Sequence, residues 1–335
     1  MKIAVIGAGS WGTAVANMVA SKGPVVLWAR RPELADAINS EHSNPDYLPD
    51  HILADDLIAT SSLAECLADA GAVVIGVPSH GFRSVLEQGR DHIRPETPIV
   101  SLAKGVEQGS LMRMTEVAAD VLGDHRRDRI GVLTGPNLAK EIVSGQPAAT
   151  VIAMEDEESA KALQQVFMGP SFRVYTNDDV VGSESAGALK NVMAIAAGMA
   201  HGLGFGDNTM ATLITRALAE LTRLGIAMGG RPLTFAGLAG MGDLIATCMS
   251  SKSRNHTVGY GLGKGKKLDD VIAEMNQVAE GVKSTPGILA LAERHGIEMP
   301  IATQVARVLY EDASPVEALT NLMAREAKPE MHGIG

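Results

Sequence analysis

Aromatic residues are scarce in this chain, because phenylalanine, tryptophan and tyrosine together make up only 3% of its 335 residues. Cysteine occurs twice, at Cys66 and Cys248, which excludes a disulfide-bonded scaffold and a cysteine-based zinc site and favours a reduced, intracellular protein. Basic residues are a minority too, since 29 lysines and arginines face 39 acidic residues and leave a formal charge of −10. This charge argues against a nucleic-acid partner, although it permits a local basic pocket.

Long hydrophobic runs are missing as well. The apolar residues 2–6 meet Gly7 before the core of a signal peptide would be complete. We expect no later apolar run to reach the roughly 18 to 20 residues that span a bilayer. The sequence therefore predicts a soluble, cytoplasmic protein that is not membrane-embedded, and its length predicts two domains.

Glycine, by contrast, is abundant, and three glycines form a turn near the N-terminus. A short apolar run leads into residues 7–12, Gly-Ala-Gly-Ser-Trp-Gly, and a helical pattern follows. A strand, a Gly-x-Gly-x-x-Gly turn and a helix in this order let backbone amides approach a pyrophosphate at the helix N-terminus. We therefore expect Gly7, Gly9 and Gly12 to bind a dinucleotide; a glycine turn selected only for tight packing is the alternative.

The end of the predicted second strand, Val25–Trp28, bears on the choice of cofactor. An acidic residue commonly binds the adenosine ribose of NAD at this place. Here the chain has Arg30 and Arg31, and two guanidinium groups suit a ribose 2′-phosphate. The pattern favours NADP(H), while the nearby Glu33 leaves NAD(H) open; a pair of solvated arginines is the alternative.

Strand and helix signals alternate up to about residue 180 and then stop. Helical stretches separate apolar strand patterns at 72–77, 98–102, 130–134, 149–153 and 172–176. This alternation predicts an α/β, Rossmann-like, doubly wound and mostly parallel sheet for a dinucleotide-binding domain over residues 1–180. Long Ala-, Leu- and Met-rich helical patterns predict an all-α substrate and catalytic domain over residues 181–335. The polar segment Glu41–Asp56 is interpreted as a surface connection.

One helical stretch of the second domain combines a lysine with small neighbours. At helical spacing, Gly187 and Ala194 flank Lys190, so nothing bulky separates its ammonium from a ligand. Asp243 follows a glycine-rich passage, where it could orient that ammonium or cap a helix after Gly242. We expect Lys190 to be the proton donor of an enzyme; a snorkelling lysine over a packed helix is the alternative.

A polar cluster occupies residues 251–256. Within it, Ser253, Arg254 and Asn255 bring together a hydroxyl, a guanidinium and an amide. This combination suits a phosphate monoester, and a solvated loop is the alternative.

Together these motifs resemble the bacterial NAD(P)-dependent glycerol-3-phosphate dehydrogenases, from about Lys2 to Arg325. The resemblance rests on motifs in the same order over both predicted domains: GAGSWGT at 7–13, LAKG at 102–105, GP at 135–136, GALKNV at 187–192, GMGDL at 240–244, SRN at 253–255 and EG at 280–281. It implies the reversible reduction of dihydroxyacetone phosphate to sn-glycerol 3-phosphate by NAD(P)H, supplying glycerol phosphate for phospholipid synthesis. It also implies a homodimer. No metal site is predicted, because neither cysteine has a second thiol or a histidine at metal-like spacing.

The resemblance assigns site residues by matching position. Cofactor contacts, including the glycine turn, would come from Gly7, Gly9, Ser10, Trp11, Gly12, Arg30, Arg31, Lys104, Ala139, Arg254, Val278 and Glu280. The substrate would be surrounded by Lys104, Gly135, Asn137, Lys190, Asp243, Ser253, Arg254 and Asn255, with Lys190 as the acid-base residue. The chain departs from the family pattern at Asn137, where Ser or Thr is expected, so an amide replaces a hydroxyl at that substrate contact.

Three other interpretations account for parts of the pattern. A 2- or 3-hydroxyacid dehydrogenase of similar plan would also have a helical lysine, but the cluster at 253–255 favours a phosphate over a carboxylate. A short-chain reductase could use Tyr260 and Lys264 as its Tyr-x-x-x-Lys pair, but the glycine-rich stretch around them makes a catalytic helix implausible. A dinucleotide-binding regulator without catalysis would leave the charged residues of the second domain unexplained.

Overall fold

The structure is a computed structural model, and it describes residues 1–275, 279–330 and 333. The chain divides into two compact units. The first unit comprises Met1–Ala103 and Met112–Val180, and the second comprises Lys104–Leu111 and Val181–Gly335.

The predicted domain limits, 1–180 and 181–335, differ from these units at the segment Lys104–Leu111, which groups with the second unit. Val106 packs in the hydrophobic core of that unit. In addition, Asn191 Nδ2 donates a hydrogen bond of 3.1 Å to the Lys104 carbonyl. Both contacts join residues far apart in the chain, so the local sequence pattern does not reveal them.

The strands belong to the first unit. They are β1 (Ile3–Ile6), β2 (Val25–Trp28), β3 (Ser43–Asn44), β4 (Leu48–Ile52), β5 (Ile58–Thr60), β6 (Ala72–Ile75), β7 (Ile99–Ser101), β8 (Ile130–Thr134), β9 (Ala148–Ala153) and β10 (Phe172–Asn177). Eight of them form one sheet in the order β10-β9-β8-β7-β6-β1-β2-β5. Its pairs are parallel except for β8 with β9, so the prediction of a mostly parallel sheet is confirmed.

Helices cover both faces of this sheet. They are α1 (Ser10–Ala20), α2 (Pro32–Glu41), α3 (Leu63–Leu67), α4 (Ser79–Gly89), α5 (Met114–Leu122), α6 (Ala139–Val143) and α7 (Glu157–Phe167), with 3₁₀ turns at Arg90–His92 and Arg127–Arg129. Successive residues of β1 enter different cores: Val5 packs in one hydrophobic cluster, and Ala4 and Ile6 pack in another. The predicted Rossmann-like, doubly wound architecture is therefore confirmed.

The segment Glu41–Asp56 was predicted to be a surface connection, but the structure shows regular elements within it. It contains β3 and β4, which pair as an antiparallel hairpin. Asn44 is fully buried, and its Nδ2 donates to the Ala8 carbonyl at 3.0 Å and to Thr13 Oγ1 at 2.8 Å. This buried amide anchors a polar hairpin to the glycine turn, and a hydropathy pattern does not detect such an anchor.

In the described part of the second unit the regular elements are helical. They are α8 (Val180–Gly202), α9 (Asp207–Ala227), α10 (Pro232–Phe235), α11 (Asp243–Met249), α12 (Arg254–Gly263), α13 (Leu268–Ala273), α14 (Glu280–Arg294), α15 (Pro300–Tyr310) and α16 (Pro315–Met323), with a π-helical turn at Leu238–Gly242. Residues 182–200 of α8 are buried throughout, so this helix forms the centre of the unit.

One stretch, Pro232–Met249, is long and apolar enough to match a membrane span by length and composition alone. It has a mean hydropathy of 1.3 over 18 residues, and 44% of it is buried within the protein. The expectation that no later apolar run reaches this length therefore fails here. The stretch is divided into α10, the π-helical turn and α11, and a buried acid, Asp243, lies within it.

Candidate active site

The glycine turn lies at the carboxyl end of β1 and leads directly into α1. Gly7 has a φ of +114°, a conformation that side chains disfavour. A Cβ at Gly12 would lie 2.0 Å from the Gly7 carbonyl oxygen, whereas a Cβ at Gly9 would meet nothing within 4 Å. The turn therefore requires glycine at Gly7 and Gly12 for close packing. At Gly9 it leaves open space beside the N-terminus of α1.

A tryptophan follows in the first turn of α1. Trp11 Nε1 is buried and lacks a hydrogen-bond partner in the described structure, and its ring centroid lies 6.4 Å from that of Phe172. An unpaired buried donor costs about 1–3 kcal/mol, so an acceptor on a ligand would relieve this cost. The orphaned donor and the open space at the turn both fit a bound dinucleotide.

The two arginines lie just beyond β2, where the sequence places them. Both are exposed, and Arg31 is the residue that precedes the first turn of α2. The Arg31 guanidinium forms an ion pair with Asp46 of the β3–β4 hairpin. This partner was not identified from the sequence, because the two residues come together only when the hairpin folds.

Gly135 and Asn137 follow β8 in the first unit, and Ala139 begins α6. The Gly135 φ is +145°. Asn137 Nδ2 donates to Thr150 Oγ1 at 3.0 Å, while its Oδ1 is buried without a partner in the described structure. The orientation of this amide therefore presents an acceptor that could meet a hydroxyl group of a ligand.

The second unit contains a buried charged cluster around Asp243. Lys190 Nζ lies 3.0 Å from Asp243 Oδ1, and Lys104 Nζ lies 2.5 Å from Asp243 Oδ2. Lys190 and Asp243 are 5% and 2% exposed, respectively. One carboxylate thus orients two ammonium groups, so the aspartate's main role is ion pairing and not capping of α11.

Thr247, one helical turn after Asp243, completes this cluster. Its hydroxyl accepts a hydrogen bond from Lys190 Nζ and donates one of 2.6 Å to the Asp243 carbonyl. Thr247 is not among the site residues predicted from the sequence. Its only signal is the four-residue spacing from Asp243, which places both residues on one face of α11.

Burial determines the electrostatics of this cluster. It lowers the pKa of Lys104 to about 8; the nearby Lys190 acts in the same direction, whereas the Asp243 carboxylate acts in the opposite one. With both lysines protonated, the cluster has one positive charge in excess, which suits an anionic ligand or an oxygen that gains negative charge.

A relay of amides joins four parts of the second unit. Gly281 N donates to Asn255 Oδ1 at 2.8 Å, and Asn255 Nδ2 donates to Asn191 Oδ1 at 2.9 Å. Asn191 Nδ2 then donates to the Lys104 carbonyl. The relay links the segment of Lys104 to α8, α12 and the start of α14, and it occupies both ends of the Asn255 amide.

The helices that contain Lys190 and Arg254 are packed with their backbones in contact. A Cβ at Gly198 of α8 would lie 2.1 Å from the His256 carbonyl oxygen, and a Cβ at Gly259 of α12 would lie 2.0 Å from that of Ile195. A catalytic helix was judged implausible in the glycine-rich stretch around Tyr260; the stretch is helical, and its glycines permit close packing against α8. Lys264, at its end, lies over the Tyr260 ring with its Nζ 5.5 Å from the centroid.

Residues of the predicted phosphate cluster form the N-terminus of α12. Ser253 caps the helix, because its Oγ accepts from His256 N at 3.3 Å, and Arg254 is the exposed first residue. The backbone N–H groups of the first turn and the helix dipole make a helix N-terminus favourable for an anion. The Arg254 guanidinium therefore adds its positive charge to the partial positive charge of the helix N-terminus.

Comparisons with known proteins agree in both halves of the chain. The family described as NAD-dependent glycerol-3-phosphate dehydrogenase N-terminus matches residues 2–160, and the corresponding C-terminus family matches residues 179–320. A relative from Sphingopyxis alaskensis, named glycerol-3-phosphate dehydrogenase [NAD(P)+] 2, is 55% identical over 99% of both chains. The chain belongs to the NAD-dependent glycerol-3-phosphate dehydrogenase family.

Other members of the glycerol-3-phosphate dehydrogenase family are similar along the same length. A relative from Thermobifida fusca, named glycerol-3-phosphate dehydrogenase [NAD(P)+], is 53% identical over 99% of both chains. The solved structure of glycerol-3-phosphate dehydrogenase from Coxiella burnetii has a TM-score of 0.91 and 39% identity, covering 97% of this chain and 99% of that one. The resemblance inferred from the sequence is therefore confirmed.

The predicted site residues of this glycerol-3-phosphate dehydrogenase family member fall into two groups. The first unit contains the glycine turn with Ser10 and Trp11, both arginines, Gly135, Asn137 and Ala139. The second unit contains Lys104, Lys190, Asp243, Ser253, Arg254, Asn255 and Glu280, the first residue of α14. Val278 lies outside the described residues.

Proposed function

We propose that this protein catalyses the reversible reduction of dihydroxyacetone phosphate to sn-glycerol 3-phosphate with NAD(P)H and supplies glycerol phosphate for phospholipid synthesis. The observation that carries the proposal is the buried cluster in which Asp243 orients Lys190 and Lys104. A relative that is 55% identical and named glycerol-3-phosphate dehydrogenase [NAD(P)+] 2 supports the choice of substrate.

The cofactor, when bound, supplies or accepts the hydride. The glycine turn and the N-terminus of α1 would hold its pyrophosphate, and the Trp11 indole N–H would donate to it. Arg30 and Arg31 would bind a ribose 2′-phosphate, so NADP(H) is the preferred cofactor and NAD(H) a second one. Lys104, Ala139, Arg254, Val278 and Glu280 complete the proposed cofactor contacts.

Lys190 is the proposed proton donor. An ammonium has three N–H groups, and those of Lys190 that meet Asp243 and Thr247 leave one for the substrate carbonyl oxygen. As that oxygen gains negative charge, Lys190 stabilises it and then transfers a proton to it. In the oxidative direction the neutral lysine accepts the proton from the substrate hydroxyl.

The substrate phosphate is proposed to bind at the N-terminus of α12. Arg254 offers a planar pair of donors that matches phosphate oxygens, and Ser253 adds a hydroxyl. Asn255 has one amide proton left for the substrate after its contacts in the relay. Gly135 and Asn137 are proposed as further substrate contacts.

The reduction should lose efficiency above about pH 8, where Lys104 loses its proton. Because a neutral Lys104 no longer attracts an anionic substrate, we expect kcat/KM for dihydroxyacetone phosphate to fall by up to about tenfold per pH unit. In Lys104→Arg the fall should move to higher pH, since a guanidinium stays charged. If kcat/KM of Lys104→Arg still falls near pH 8, the group that titrates there is not Lys104. The measurement is a pH profile from 6.5 to 10 in both proteins.

The direct test of the proposed function is the loss of absorbance at 340 nm when the purified protein meets dihydroxyacetone phosphate with NADPH or with NADH. The 2- and 3-keto acids that hydroxyacid dehydrogenases reduce are assayed beside it. Turnover of the phosphorylated ketone is the expected result. Turnover of only a keto acid, or binding of NADPH without any turnover, would contradict the proposed substrate.

Sedimentation of the same sample tests the homodimer that we propose, and cell fractionation tests the proposed cytoplasmic location.

A further inference from the structure

We infer that Asp46 opposes NADP(H) and favours NAD(H), and so controls the choice between the two cofactors; the inference rests on the proposed dinucleotide-binding function. Asp46 lies in the turn between β3 and β4, and its carboxylate pairs with the Arg31 guanidinium. The first unit therefore brings an acid to an arginine that is proposed to recognise the cofactor's 2′-phosphate.

The position of Asp46 is fixed on both sides by hydrogen bonds to the glycine turn and the start of α1. Before it, the buried Asn44 donates to the Ala8 carbonyl at 3.0 Å. After it, the Tyr47 carbonyl accepts from Ser10 Oγ at 3.1 Å, and Tyr47 N donates to Asn44 Oδ1 at 3.2 Å. Because its anchors belong to the proposed pyrophosphate site, Asp46 keeps a defined place relative to a bound dinucleotide.

The end of β2 is where dinucleotide-binding sheets recognise the adenosine ribose. An acid at this place accepts hydrogen bonds from the ribose hydroxyls of NAD, whereas an arginine accommodates the 2′-phosphate of NADP. In this chain Arg31 lies three residues after the end of β2, and the acid reaches the same place from the hairpin, 15 residues further along. Both recognition groups are therefore present together.

The two cofactors would use this pair differently. With NAD(H), Asp46 can accept from the ribose hydroxyls while it remains beside Arg31. With NADP(H), the 2′-phosphate must replace Asp46 as the partner of Arg31 and lie close to a like charge. The Arg31 and Asp46 side chains are 53% and 44% exposed, so the ion pair is weak enough to exchange partners. Asp46 therefore reduces the preference for NADP(H) without excluding it.

The test is Asp46→Asn in the full-length protein, titrated separately with NADPH and NADH. Binding is read from the fluorescence of the chain's two tryptophans, Trp11 and Trp28, which lie in α1 and at the end of β2. Removal of the charge should tighten NADPH binding by about tenfold and weaken NADH binding, because the 2′-phosphate no longer meets a like charge and the ribose loses a charged acceptor.

The matched control is Asp50→Asn, which removes the same charge from an exposed position on β4 of the same hairpin. It should leave the ratio of the two dissociation constants unchanged. Equal changes of that ratio in both variants, or no change in either, would overturn the inference while the proposed function stands. If the wild-type protein binds neither nucleotide, the proposed function fails and the inference fails with it.

Discussion

Replacement of Lys190 by methionine should lower kcat for the reduction of dihydroxyacetone phosphate by about 10⁴-fold. The variant removes both the proton donor and the charge that stabilises the developing alkoxide. Methionine has a similar length and an apolar tip, and Asp243 keeps Lys104 as an ion-pair partner, so the buried site should remain folded. The measurement is the steady-state rate at saturating substrate and NADPH.

A control for this prediction is Lys264→Met, which removes an equal charge from the end of α12. It should keep the wild-type rate, because Lys264 lies over the Tyr260 ring and has no role in the proposed reaction. NADPH binding to Lys190→Met, followed by tryptophan fluorescence, should also be unchanged. A Lys190→Met enzyme with more than a tenth of the wild-type rate would contradict the role of Lys190, and an inactive Lys264→Met would favour the short-chain reductase interpretation.

The second large effect is expected at Arg254. Arg254→Gln should raise KM for dihydroxyacetone phosphate by about a hundredfold, or roughly 3 kcal/mol, because the phosphate loses its charged and bidentate partner. Arg254→Lys should restore part of the affinity, since it returns the charge without the planar fork. Both variants are compared by full substrate-saturation curves at a pH where the substrate is a dianion.

Two comparisons make this prediction specific to the phosphate. At NADPH concentrations that saturate both proteins, so that a weakened cofactor contact of Arg254 does not limit the rate, dihydroxyacetone, which lacks the phosphate, should be reduced slowly and at the same rate by the wild-type protein and by Arg254→Gln. Lys266→Met, which removes a surface charge paired with Glu274 in the same unit, should leave KM unchanged. An equal loss of activity toward both ketones in Arg254→Gln would contradict the assignment of Arg254 to the substrate phosphate.

Local sequence patterns determined much of the sheet. The predicted strands Val25–Trp28 and Ile130–Thr134 have the observed bounds, because apolar residues between polar or glycine-containing segments indicate a buried strand in any chain. The glycine turn was predicted on the same basis, since the spacing of its glycines is a local backbone requirement. The family resemblance also followed from motifs that are contiguous in sequence.

Other features depend on residues that only the fold brings together. Lys104 and Asp243 are 139 residues apart, and their ion pair requires the segment 104–111 to join the second unit. The glycines of α12 made a catalytic helix implausible, since glycine disfavours helices locally, but the stretch is helical because the gain from close packing against α8 outweighs that preference.

The sequence by itself therefore determined the fold class, the glycine turn between the first strand and helix, the family and most candidate residues. The tertiary structure decided how those residues are paired: Asp243 with two lysines, Thr247 with Lys190, and Asp46 with Arg31. The physical reason is the range of the interactions. Strand patterns and glycine turns arise from neighbouring residues, whereas ion pairs and buried hydrogen bonds form only after distant segments have packed.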